Sequence, residues 1–179
     1  MGRNGHLGGG TFPNVTGLVY VAARAPDVGE DYAALAARFP QPPANSGIVK
    51  FGDFEQLSME SFLRDFAGDV PRSRALGLYA VQGPISNSLF SSKTSVAAWR
   101  HKPTWYAVSK NDRTTTPDLE RFLAARMGAT TIELDSSHLS IVSHPEAIAD
   151  LILNAAGVRP RVPSAPSPAP VPMHHAVTG

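Results

Sequence analysis

The sequence contains no cysteine. That excludes disulfides, thiol nucleophiles and thiolate-held metals, and leaves hydroxyls, carboxylates and imidazoles as the reactive side chains. It also has no apolar run long enough to span a bilayer, and its first residues lack the apolar core of a secretory signal. An excess of one charge is missing too. The 16 Lys and Arg residues nearly balance the 15 Asp and Glu residues, for a net +1, and no basic run suits a phosphate backbone. No nucleic-acid or membrane partner is expected, and a soluble cytoplasmic protein is the default reading. No cofactor or metal is expected either; His174 and His175 stand together without further ligands.

What is present fits one globular domain. Hydrophobic residues make up 42% and charged residues 17% of 179 positions, enough for a core. The two ends differ from the middle. Residues 1–13 are Gly-rich, with little to bury, and read as a flexible start. From residue 158 onward, Pro160, Pro163, Pro166, Pro168, Pro170 and Pro172 alternate with small residues, which predicts an extended, disordered tail over 158–179. The folded part is expected at 14–157.

The stretch 103–143 organises that part. It reads strand (104–108), loop with an acid (Asn111-Asp112), helix (117–127), strand (130–134), loop with a histidine (Ser136-Ser137-His138). Two strands joined by a helical crossover should lie parallel with a right-handed connection. If they are neighbours, Asp112 and His138 arrive at the carboxyl edge of the sheet, where open α/β sheets bind ligands. A carboxylate accepting from an imidazole Nδ1–H fixes the tautomer and leaves the other nitrogen as a base. Two plainer readings stand beside this: an Asp after a strand often forms a turn, and a His in a Ser-rich loop is often solvated.

Residues 108–119, VSKNDRTTTPDL, and 136–145, SSHLSIVSHP, resemble the acid and histidine segments of the α/β-hydrolase superfamily. Residues 14–26, NVTGLVYVAARAP, resemble the strand that leads into the cap in its small-esterase branch, which is similar to plant methylesterases, hydroxynitrile lyases and bacterial salicylate-esterase-like proteins. The likeness runs over about 14–157, with several segments in the family's order. It implies a partial α/β-hydrolase fold: about three parallel strands, flanking helices and a helical cap over 31–100. It also implies Asp112 as triad acid and His138 as triad base, a small apolar ester or acid as ligand, and no cofactor.

The resemblance fails at the nucleophile. The family's Ser sits in a G-x-S-x-G elbow, and that motif occurs nowhere in this sequence. Gly5-His6-Leu7-Gly8-Gly9-Gly10 resembles the family's G-H-S-x-G-G with Leu7 in the Ser place, or is simply part of the Gly-rich start. A leucine has no attacking atom, so little esterase activity is expected from this polypeptide alone. The alternative is a non-catalytic, truncated remnant that binds an apolar ligand or a partner chain. A G-x-S-x-G encoded upstream would favour the enzyme.

The remaining elements follow from pattern. The apolar run 15–23 reads as a strand buried on both faces, with a free edge open to self-association. Residues 31–38 read as a short helix and 47–54 as a small hairpin. Ser58 is a candidate N-cap for a helix to Phe66, with Met59, Phe62, Leu63 and Phe66 at helical spacing. A further helix is expected from Pro71 in its first turn, with Ala75, Leu76, Tyr79 and Ala80 inward. Phe54, Met59, Phe62, Phe66 and Trp99 could line an apolar pocket, or serve as ordinary core. Thr116 can cap the helix at 117–127, where Asp118 and Glu120 suit the positive end of the dipole. Ser143-His144-Pro145-Glu146 fits a capping box for a last helix that buries Ile148, Leu151, Ile152 and Ala155.

Overall fold

The computed structural model describes residues 12–158. The glycine stretch with Leu7 and the proline-rich tail with His174 and His175 lie outside the described residues. The chain builds a three-stranded parallel sheet from β1 (Leu18–Val21), β5 (Thr104–Ser109) and β6 (Thr130–Leu134), in the order β1-β5-β6. Tyr20 lies opposite Tyr106, and Val108 opposite Glu133.

Side chains alternate across β5, as the pleat requires. Tyr106 and Val108 point to one face, where they pack with Leu119 and Leu123 of α4 (Pro117–Arg126) and Leu35 of α1 (Tyr32–Ala36). Trp105 and Ala107 point to the other, against Ile148 and Leu151 of α6 (Pro145–Ala155). The sheet is therefore covered on both faces. Each fully buried aliphatic side chain contributes roughly 1.5–3 kcal/mol of burial.

β1 is shorter than the apolar run 15–23 suggested, and only Tyr20 within it is buried. Two local constraints set its limits. At Gly17 a Cβ would come within 2.8 Å of the Trp105 ring. At Ala22 the backbone turns left-handed (φ 43°) and leaves the sheet. The new direction is held by Tyr106, whose hydroxyl donates to the Ala23 carbonyl (2.5 Å) and accepts from the Ala23 amide (3.1 Å).

Between β1 and β5 lies a segment that is not only helical. The hairpin β2 (Ile48–Phe51) and β3 (Phe54–Leu57) runs three residues beyond the expected 47–54, and β4 (Ile85–Ser86) adds a third antiparallel strand. Ser58 caps α2 (Met59–Ser61) by accepting from the Ser61 amide (3.3 Å). The helix then widens into a π-helical turn at Phe62–Phe66, closed by the Ala67 amide on the Phe62 carbonyl (2.9 Å). Pro71 is the N-cap residue of α3 (Arg72–Ala80) and does not lie inside its first turn. Ala75, Leu78 and Tyr79 form the inner face of α3, while Leu76 and Ala80 are exposed.

The caps of the later helices also differ from expectation. Thr116 holds the N-cap position of α4 but makes no side-chain cap bond. The Ser143–Glu146 capping box does not form, because Ser143 is the last residue of α5 (Ser140–Ser143) and its hydroxyl is turned to His144 Nδ1 (3.0 Å). Ile148 and Leu151 are buried on α6, whereas Ile152 is 47% exposed. No helix among the described residues is long and apolar enough to cross a membrane.

Candidate active site

The loops that leave β5 and β6 bring Asp112 and His138 together at the carboxyl edge of the sheet. His138 Nδ1 lies 2.6 Å from Asp112 Oδ2, and the Asp112 side chain is fully enclosed. An ionised carboxylate only accepts, so Nδ1 is the donor and Nε2 carries the lone pair. The other oxygen, Oδ1, accepts from the Thr114 and Thr115 amides at 2.6 and 2.9 Å. Asp112 is thus a turn former and a histidine partner at once: one oxygen folds the loop and the other holds the ring.

The histidine loop is fixed from several sides. The Asn111 amide donates to the Ser136 carbonyl (3.0 Å), and Ser136 Oγ donates to Ser109 Oγ (3.2 Å). Ser137, next to His138, has its hydroxyl committed to the Phe66 carbonyl (3.1 Å) and to the Asp69 carboxylate. The Phe66 ring packs on the imidazole, with centroids 4.7 Å apart. His144 heads α6 beside Ser143 and does not join Asp112.

His138 forms part of the wall of a cavity of about 980 Å³. Apolar and aromatic side chains dominate that wall, among them Leu57, Phe62, Phe66, Leu78 and Phe90. Of the five residues that could line such a pocket or serve as ordinary core, Phe62 and Phe66 line it. Phe54 and Met59 are 46% and 49% exposed. Trp99 is buried in the sheet core, where its indole N–H donates to the Pro26 carbonyl (3.1 Å).

Two carboxyl groups near the dyad were not read as site residues from the sequence. Asp65, fully buried in the π-helical turn, accepts from Ser61 Oγ (2.9 Å), from Arg64 Nε and a terminal Arg64 nitrogen (3.0 and 2.7 Å), and from Arg113 Nε (2.7 Å). The Arg64 hydrogen bonds, followed by those of Arg113 and Ser61, outweigh burial and hold this carboxyl down at about 2. Glu120 lies in the first turn of α4 as expected, but it does not face solvent there. It is fully buried on α4 and accepts the Ser109 amide (3.0 Å) on Oε2. Burial first, and the charge of Asp112 second, push it up to about 10, so it is neutral at ordinary pH. A signal existed for both. Asp65 interrupts the apolar spacing of Phe62 and Phe66, and Glu120 adjoins Leu119 on the face that also presents Leu123. Among the described residues, no three His, Asp or Glu side chains cluster as a metal site.

No curated protein matches the chain significantly in sequence. Solved structures match its fold. Polyneuridine aldehyde esterase is 14% identical, with a TM-score of 0.64 over 79% of this chain and 62% of that one. A methylesterase from Arabidopsis is 17% identical, with a TM-score of 0.57 over 80% and 59%. An extracellular α/β-hydrolase from a Paenibacillus species, described as sharing structural and functional homology with tobacco salicylic acid binding protein 2, is 19% identical, with a TM-score of 0.59 over 78% and 61%. The chain therefore spans less than two thirds of the length of these structures. A sequence model of the alpha/beta hydrolase family matches residues 4–151, most of the chain. With three parallel strands under flanking helices, this chain belongs to the alpha/beta hydrolase family.

Proposed function

We propose that this protein supplies the acid, the base and the acyl cavity of a serine-esterase-type site for small apolar carboxylic esters. The observation that carries the proposal is the 2.6 Å bond between His138 Nδ1 and Asp112 Oδ2 at the wall of the apolar cavity. In this scheme His138 Nε2 takes the proton from an attacking hydroxyl and returns it to the leaving alcohol. Asp112 holds the ring and stabilises the imidazolium between those steps. The names of the structural neighbours, an esterase and a methylesterase, support the same chemistry.

The sequence has no G-x-S-x-G elbow, and this favours a second reading: a hydrolase-like binding module that holds an apolar ester or acid without turning it over. Loss of a nucleophile removes most of the acceleration but leaves the effect of binding and of the remaining groups. The purified chain should therefore bind 4-nitrophenyl butyrate in the cavity and hydrolyse it slowly. Any rate above background should fall at least about tenfold in His138→Ala and in Asp112→Asn. A rate unchanged in either variant overturns the esterase reading. Binding without a His138-dependent rate leaves the binding module as the function.

A further inference from the structure

Arg24 is the one arginine on the wall of the His138 cavity, and it stands where a cation is costly. It follows the left-handed corner at Ala22, whose neighbour Ala23 is bonded in both directions to the buried Tyr106 hydroxyl. The backbone that presents Arg24 is therefore fixed. Its guanidinium carbon lies 3.7 Å from the centroid of Phe90 and 4.7 Å from that of Tyr32, and both rings line the same cavity. Arg24 forms no ion pair among the described residues, unlike Arg64, Arg100, Arg113, Arg121 and Arg126.

Glu55, also on the wall, acts on Arg24 from beyond contact distance and has its own partner in Lys50 at 3.9 Å. Burial pulls the Arg24 guanidinium below its ordinary pKa. Two aromatic faces compensate part of that cost. The Tyr32 hydroxyl also accepts a hydrogen bond from the guanidinium, which leaves most of the planar fork of N–H donors, whose best match is a carboxylate.

We propose that Arg24 is an anion-binding subsite of the cavity, so that the preferred ligands are half-esters, with an ester at the His138 end, an apolar body, and a free carboxylate on Arg24. The ester end of this assignment rests on the function proposed above; the carboxylate end does not. Aromatic side chains cover part of the half-buried cation, and the apolar wall between gives the body of the ligand its place. A purely structural Arg24 would gain nothing from a ligand's charge.

The test is calorimetric binding to the full chain of monomethyl esters of linear dicarboxylic acids, from succinate to suberate, each against its dimethyl ester. At one chain length or more, the half-ester should bind about tenfold tighter than the diester, as one charge-assisted hydrogen-bond pair allows. In Arg24→Met that preference should vanish while diester affinity is kept, which also shows that the variant is folded. Arg24→Lys should keep part of the preference. Equal affinity of half-ester and diester at every length, or a preference that survives in Arg24→Met, overturns the proposal. Because binding is read without turnover, His138→Ala should leave the preference intact. Failure of the esterase reading and failure of the anion subsite are then separate results.

Discussion

Glu120 and Asp112 are two buried carboxyl groups at one site, and the negative charge of Asp112 helps to keep Glu120 protonated. The arrangement has a consequence for pH. Glu120 is raised from 4.5 to about 10 in the folded chain. Below 4.5 both folded and unfolded chains hold the proton, and the full contribution is present. As pH rises toward 10 the unfolded chain releases its proton and the folded chain does not, so stability falls.

Glu120→Gln mimics the neutral form without a titrating proton. Its amide oxygen can still accept the Ser109 amide now bonded to Oε2. The variant should therefore melt several degrees above the parent at pH 8, corresponding to about 1–2 kcal/mol, and the gap should close toward pH 5. Thermal unfolding at the two pH values checks this. A loss of stability that is equal at both would show that Glu120 is not held neutral.

The sheet and the meeting of Asp112 with His138 were legible in the sequence because both depend on local signals. Those signals are β-rich runs such as 104–108, a helix opened by Pro117 and closed by Gly128 (φ 61°), and short loops after each strand. What was not legible depends on contacts distant in sequence. The partners of the Ser137 hydroxyl, Phe66 and Asp69, lie 71 and 68 residues away and leave no mark in the local pattern. Trp99 reads equally as pocket or core until Pro26 takes its N–H and settles it in the core. The Ser143 box failed because the preceding turn, Ser140–Ser143, is itself helical, which leaves Ser143 no place as a cap.

Asp65 joins the segment between β1 and β5 to the loop of the dyad, since one partner, Arg113, directly follows Asp112. Asp65→Asn keeps the shape but removes the charge that two arginines share. It should cost about 1–3 kcal/mol at pH 7 in denaturant unfolding. The carboxyl is lowered from 3.8 to about 2, so its contribution is complete above 3.8 and is lost as pH falls from there toward 2. The parent should lose stability across that window and the variant should lose less. Parallel curves for the two proteins would rule out the Asp65 network as the source.

Phe66 packs at once on His138 (4.7 Å between centroids) and on Phe62 (4.9 Å). Phe66→Ala removes one wall of the imidazole and part of the cavity lining. The expected cost is about 1–3 kcal/mol of stability, below that of a fully buried ring because Phe66 is half-buried. Weaker binding of 4-nitrophenyl butyrate should accompany it, whereas Phe66→Leu should recover most of both. Unaltered binding in Phe66→Ala would place the ester elsewhere in the cavity.

Asp112→Asn separates the two tasks of that residue. The Asn oxygen can still accept from the Thr114 and Thr115 amides, which now bond Oδ1. The loop should therefore stay folded, with melting changed by less than about 1 kcal/mol. The amide nitrogen then faces His138 Nδ1 in place of Oδ2, and an N–H there can only donate. His138 Nδ1 must become an acceptor, which moves the ring proton to Nε2 and removes the base from the cavity side. Long-range nitrogen–proton correlation spectra should show the Nδ1–H form in the parent and the Nε2–H form in Asp112→Asn. Any His138-dependent ester hydrolysis should fall at least about tenfold, as expected for a dyad in the wrong tautomer. The same tautomer in both proteins would mean that the 2.6 Å contact does not set the proton's position, and the base role of His138 would fall with it.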